Sequence, residues 1–213
     1  MARWIRRALL DFPVSFLRLR KMSSYQEMEI KLPLEDMTAG AKMLRIAGAE
    51  IEQPRHFEDN FVFDRPGLEL RKAGKLLRVR LIKSTEKSEA GGILTFKGPT
   101  TIEDHVKQRP EVECRIQNPD DLIAILKEIG FNITFRYQKY RTVYRKAPYS
   151  LHICMDETPI GHFLELEGEV QQIHEFAAEI GFDKEQFMTS SYASLYFDWC
   201  REKGIAPSEM VFP

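Results

Sequence analysis

Cysteine is scarce in this sequence and follows no pattern. Cys114, Cys154 and Cys200 lie far apart, and no CxxC pair occurs. That argues against a disulfide framework or a zinc site and fits a reducing, cytoplasmic compartment. Long apolar runs are missing: nothing approaches the roughly 20 residues that cross a bilayer as a helix. A bias of charge is missing as well. The chain has 31 Lys and Arg against 32 Asp and Glu, a formal net charge of −1, so no overall field draws it to nucleic acid or membrane. There is no Gly-rich phosphate loop, because Gly91-Gly92 is too short and no GK[ST] follows. Neither a GxSxG elbow nor an HExxH helix is present.

What is present is a soluble composition, 43% hydrophobic and 30% charged, in 213 residues. That length suits one domain with a substantial core and would cramp two. The organising stretch is Glu27-Met28-Glu29-Ile30-Lys31, in strict alternation. On a strand, Glu27, Glu29 and Lys31 share one face, and Met28 and Ile30 share the other. The pattern recurs as Arg78-Val79-Arg80, Glu111-Val112-Glu113, Lys139-Tyr140-Arg141 and Glu165-Leu166-Glu167. A single charged doublet on a strand reads as solvated surface. Five of them place charge of both signs on one face of a sheet.

Residues 1–22 stand apart as a basic extension. Arg3, Arg6, Arg7, Arg18, Arg20 and Lys21 are interleaved with apolar residues against the single Asp11. Asp11 and Pro13 interrupt any signal-peptide core, and Met22 offers an alternative start. A domain over residues 23–203 follows, then a tail at 204–213. Strands are expected at 25–32, 56–64, 76–83, 93–97, 107–116, 134–145, 151–156 and 162–170. Helices are expected at 34–48, from Asn118 as N-cap to Gly130, at 172–180 and at 190–203. Short links such as Pro148-Tyr149 and Thr158–Gly161 imply hairpins. The class is therefore α+β with a mainly antiparallel sheet.

Eight such strands form a sandwich or a closed barrel, and closure removes exposed edges. The apolar faces need cover, which the helical stripes supply. The charged faces then point into the barrel. An unpaired buried charge is prohibitive, so this lumen must be compensated or filled by charged ligand and metal. The basic candidates are Lys31, Arg78, Arg80, Lys97, Arg109, Lys139 and Arg141. The acidic ones are Glu27, Glu29, Glu111, Glu113, Asp156, Glu165 and Glu167. The two sets balance. A triphosphate with about four negative charges and two divalent cations leaves that balance unchanged. Converging carboxylates suit Mg²⁺ or Mn²⁺, while Arg and Lys suit phosphate oxygens. His152, His162 and His174 read as surface or structural. Tyr137 and Tyr140 could stack on a base, with Tyr140 better placed outside, under a helix.

Glu27-x-Glu29-x-Lys31 resembles the ExExK signature of the CYTH family, the triphosphate tunnel metalloenzymes. Gly74-Lys75-Leu76-Leu77-Arg78-Val79-Arg80 is similar to its G-x-x-LRxR strand, and Leu94–Pro99 to its LTxKGP segment. Arg109-x-Glu111-x-Glu113, Lys139-x-Arg141, Asp156-Glu157 and Gly161–Glu167 complete the order over roughly residues 25–200. His56–Asn60 stands where many members carry Q-x-D, and a role for His56 does not follow. The closing Ser190-Ser191-Tyr192 looks most like the bacterial branch labelled class IV adenylyl cyclase.

The resemblance implies a closed eight-stranded barrel with a charged lumen and flanking helices. It implies a metal-dependent enzyme acting on a small-molecule triphosphate, as adenylyl cyclase or as triphosphatase. Glu27, Glu29, Asp156, Glu165 and Glu167 would hold Mg²⁺ or Mn²⁺. Lys31, Arg78, Arg80, Lys97, Arg109, Lys139 and Arg141 would line the phosphate path, with Lys31, Lys97, Lys139 and Arg141 closest to the chemistry. Glu111 and Glu113 would orient basic groups. A homodimer is compatible with the sequence, and no nucleic-acid partner is expected. The alternative is a non-catalytic barrel that binds polyphosphate or nucleic acid. Paired carboxylates argue against it, since they repel a phosphate backbone unless they hold metal.

Overall fold

The computed structural model describes residues 25–83 and 91–213. The basic extension at 1–22, and Lys87 and Glu89 of the polar loop, expected to be exposed charge, lie outside the described residues. Strand β1 (Tyr25–Leu34) carries the Glu27–Lys31 alternation beyond residue 32 to Leu34. Asp36 then caps α1 (Met37–Ile46), accepting from the Ala39 amide at 2.8 Å. The helix therefore starts later than its apolar spacing suggests.

Strand β2 (Glu50–Asp64) starts well before the expected residue 56. Its partner β7 (Asn132–Arg145) shifts register against it between Ile51 and Gln53 and between Gln53 and His56. Such irregularities bend a strand and tolerate Pro54, which hides this half from a reading of alternation. Asp64 closes β2 by accepting from the amides of Arg65, Leu70 and Arg71, which fixes a short helix α2 (Glu69–Lys72). Then come β3 (Leu76–Lys83), β4 (Gly91–Lys97), a three-residue β5 (Thr101–Glu103), β6 (Val106–Ile116) and α3 (Pro119–Glu128). Pro119 sits in the first turn of α3, but Asn118 makes no side-chain cap. After β7 follow β8 (His152–Thr158), β9 (Gly161–Glu167), α4 (Val170–Glu179) and α5 (Tyr192–Lys203). Val170 opens a helix instead of ending a strand, because Gly168, at φ +152°, breaks the chain direction between them.

The strands run β1-β9-β8-β7-β2-β3-β4-β6, every pairing antiparallel, and β6 pairs back onto β1. The sheet is a closed eight-stranded barrel, with β5 added to the edge of β6. Two short bridges fill its seams. Met188 exchanges both backbone hydrogen bonds with Lys31 at 2.9 Å, and Met210 of the C-terminal tail lies alongside Tyr137.

Two of the three apolar clusters lie outside the barrel wall. Ile30, Leu32, Leu164 and Leu166 are sealed under α1 and α4 by Leu44, Ile173 and Phe176. A second cluster lies on the inward face: Phe135, two residues before Tyr137 on β7, and Phe163, two residues before Glu165 on β9, are covered by Tyr196 and Cys200 of α5 and by Met210. Val79 and Phe63 lie under Leu126 of α3. Tyr140 does face outward, but it packs on Phe57 and on Phe212 of the tail, not on a helix. With helices and tail taking the apolar face, alternation sends the charged face inward.

Candidate active site

All the expected lumen residues except Asp156 line one cavity of about 1060 Å³. On β1, Glu27, Glu29 and Lys31 point inward, and each meets an opposite charge. Lys97 of β4 contacts Glu27 and lies 3.2 Å from Glu111. Lys31 Nζ lies 3.0 Å from Glu29 and 3.1 Å from Glu165. Lys107 of β6 donates to the same Glu29 oxygen. Across the lumen, Lys139 lies 2.8 Å from Asp156, 3.6 Å from Glu58 and 3.7 Å from Glu165. Arg141 forks onto both oxygens of Asp156 and reaches Glu165. Arg80 donates to Glu58 at 3.0 Å and to Asn60 at 2.9 Å. Arg78 donates to Tyr137 and Thr95 at 3.0 Å and lies 3.4 Å from Glu113.

Two expected residues sit differently from their neighbours. Asp156 lies on the inward face of β8, opposite Arg141, but is fully buried below the cavity surface, and its oxygens accept from Lys139, Arg141 and the Tyr192 hydroxyl. Arg109 lines the cavity but spends its guanidinium on backbone. It donates to the Gly98 carbonyl at 2.7 and 3.1 Å and to that of Gly74 at 3.5 Å.

The electrostatics divide the lumen. Burial alone would raise Glu29, Glu58 and Glu165, but adjacent cations hold all three well below the usual carboxylate range. For Glu29 these are Lys31 and Lys107; for Glu58, Arg80 and Lys139; for Glu165, Lys139, Lys31 and Arg141. Lys31 is raised in turn by Glu29 and Glu165, against its burial. Around Glu27 compensation fails. Burial pushes Glu111 up to about 7 against the pull of Lys97, with Glu27 and Glu113 adding to the rise. Burial and Glu27 push Glu167 up to about 8. Lys107 is lowered by burial in spite of Glu29.

The surroundings of Glu27 suit an oxygen-seeking divalent cation. Glu27 Oε2 is buried without a hydrogen-bond partner. Crowded, partly protonated carboxyls beside it are what a cation relieves. Among the described residues, no three acidic, imidazole or thiol groups already converge on a point. Lys97 and Lys107 stand on the Glu27 and Glu29 oxygens, so an incoming ion has to displace them.

Sequence reasoning missed Glu58, Lys107 and Tyr192, which join this network. Lys107 was legible: it precedes Arg109-x-Glu111-x-Glu113 by one more step of two on the same strand face. Glu58 was masked by its neighbour Asp59, which points outward to Arg136, so no like-charged doublet marks it. His56 also lines the cavity, with Nε2 3.6 Å from Glu58.

The comparisons with known proteins agree with this architecture. "Putative adenylate cyclase MJ0240" of Methanocaldococcus jannaschii is 28% identical over 149 residues, which cover 70% of this chain and 80% of that one. The solved PH1819 protein of Pyrococcus horikoshii superposes with a TM-score of 0.68 at 24% identity, over 81% of this chain and 99% of that one. "Putative adenylyl cyclase HpAC1" of Hippeastrum, described as having a dominant triphosphatase activity, superposes at 0.57 and 19% identity, over 85% and 97%. Residues 25–192 match the CYTH domain model, from the first barrel strand to the tyrosine that opens α5; the chain belongs to the CYTH domain family.

Proposed function

We propose that the chain is a divalent-cation-dependent enzyme that breaks a phosphoanhydride bond of a small-molecule triphosphate inside the barrel. The observation that carries this reading is one cavity lined by inward-facing carboxylates interleaved with ammonium and guanidinium groups. Glu27, Glu29, Glu165 and Glu167 would hold Mg²⁺ or Mn²⁺, with Asp156 supporting them from below the cavity surface. A bound cation supplies charge neutralisation on the phosphate oxygens.

The chain's own residues do the rest. Lys31, Lys97, Lys139 and Arg141 neutralise the charge that builds on the reacting phosphoryl group, and Arg78 and Arg80 hold the remainder of the phosphate chain. Their carboxylate partners fix them in place before substrate arrives, so little reorganisation is needed at the moment of reaction. The lumen serves two outcomes. In cyclisation, the 3′-hydroxyl of ATP attacks the α-phosphorus, and pyrophosphate leaves. In hydrolysis, water attacks the terminal phosphorus, the bond to the bridging oxygen breaks, the diphosphate remainder leaves, and the attacked phosphoryl group is released as orthophosphate. The difference lies in which phosphorus is aligned with which nucleophile. The test offers ATP, inorganic tripolyphosphate and thiamine triphosphate to the purified protein with Mg²⁺ or Mn²⁺, with cyclic AMP, pyrophosphate and orthophosphate resolved as products. Binding without turnover of any of the three would leave the non-catalytic barrel as the reading.

A further inference from the structure

One aromatic residue touches several of the groups that the proposed function relies on. Tyr192 opens α5, behind Ser191, which caps the helix by accepting from the Ser194 amide at 3.1 Å. The segment that delivers it is stitched to β1 through Met188, at Lys31 itself. Tyr192 is only 6% exposed and lines the cavity. Its ring centroid lies 5.1 Å from Lys31 Nζ and 5.0 Å from Lys139 Nζ. Its hydroxyl donates to Asp156 at 2.7 Å, and Phe163 holds the ring edge-on at 5.5 Å between centroids.

These contacts close a circuit. The hydroxyl fixes Asp156, Asp156 fixes Lys139, and Lys139 lies against the ring that carries the hydroxyl. An ammonium has three N–H donors and no acceptor. A ring face attracts it without adding another anion to neutralise it. Lys31 and Lys139, which also share Glu165 as a carboxylate partner, are thereby held against one ring. Burial, with Asp156 and Glu165 nearby, holds the Tyr192 hydroxyl well above its ordinary range.

We propose that Tyr192 is a positioning residue, which aligns Lys31 and Lys139 as a pair, and Arg141 through Asp156, against the phosphate chain of the substrate. This rests on the function proposed above.

The test compares Tyr192→Phe, which keeps the ring, with Tyr192→Leu, which does not. On whichever of the three triphosphates the wild type turns over fastest, Tyr192→Phe is expected to lower kcat/KM about fivefold. Tyr192→Leu is expected to lower it about a hundredfold, with kcat falling more than KM rises. Phe176→Leu, in the outer core under α4, is the matched control; it lowers the melting temperature and leaves kcat and KM unchanged. A second readout needs no turnover. In ¹H–¹⁵N spectra of the lysine ammonium groups, Lys31 and Lys139 should carry ring-current shifts that Tyr192→Phe keeps and Tyr192→Leu abolishes. Wild-type kcat and KM in Tyr192→Leu, a loss matched by Phe176→Leu at equal melting temperature, or unmoved lysine signals would each overturn the proposal. A wild type inert towards all three triphosphates defeats the function instead, and the lysine signals then decide the positioning.

Discussion

Glu29 and Glu167 stand directly opposite each other across the β1–β9 ladder, both facing the lumen. Like charges in register destabilise a sheet. Glu29 is offset by Lys31 and Lys107, whereas Glu167 has no basic group within ion-pair distance among the described residues. A barrel selected for stability alone would pair this site or make it apolar. A cation held by both carboxylates, as proposed above, would offset that cost.

The pH dependence follows with its sign. Glu167 titrates near 8 and Glu111 near 7, against 4.5 for an ordinary glutamate. The folded protein thus holds protons that the unfolded chain has released. The stability these groups contribute is complete below about pH 4.5 and is lost as pH rises through 7 to 8. By calorimetry, the metal-free protein is expected to melt lower at about pH 8.5 than at about pH 6, and Glu167→Gln to flatten that slope. Millimolar Mg²⁺ or Mn²⁺ should raise the melting temperature more at the higher pH, since binding releases protons. Equal metal effects at both pH values would contradict the role given to Glu167.

Lys97→Ala leaves Glu27 buried and unpaired. Urea unfolding of the metal-free variant should show a loss of about 3 kcal/mol, and added Mg²⁺ should restore part of it. Turnover should fall by on the order of 10²–10³-fold, as for removal of a preorganised charge from a transition state. Retained turnover would remove Lys97 from the chemistry.

Glu58 holds Arg80 and Lys139 from the β2 side. Glu58→Ala takes from Arg80 its carboxylate partner and from Lys139 one of three, and should cost about 3 kcal/mol. Glu58→Gln, which keeps an acceptor for Arg80, should cost less. Denaturant midpoints equal to wild type in both variants would show that water or Asp156 suffices.

Arg109 separates a clamp from a ligand. Its fork ties the Gly98 and Gly74 carbonyls together at the base of β3 and β4. Arg109→Lys keeps the charge and loses the fork. It should lower stability by about 1–2 kcal/mol and leave KM for the triphosphate unchanged. A KM raised about tenfold with stability intact would make Arg109 a phosphate ligand after all.

The barrel was legible because period-2 alternation survives in Glu27–Lys31, Arg78–Arg80 and Glu165–Glu167, and a face of mixed charge has few places to go but inward. Its margins were not. Pro54 and the register shifts of β2 hide a strand that pairs through most of β7. β5 is three residues long, too short to show a period. The tail carries no periodic signal, yet Met210 is wholly buried against β7. The site divides in the same way. Residues on alternating strands could be read off in advance. Tyr192 comes from a helix, where strand periodicity says nothing, and Asp156 lies on the expected face but is locked beneath the surface by the arginine and lysine meant to share its ligand.

The most direct test of the inward charged lumen is ³¹P NMR of a triphosphate with wild type and with Glu29→Ala, each with Mg²⁺ and then with excess chelator. Wild type with Mg²⁺ should convert the triphosphate resonances to those of pyrophosphate or orthophosphate, and the chelated sample and Glu29→Ala should leave them intact. Turnover that persists in chelator, or that survives loss of Glu29, would contradict the account.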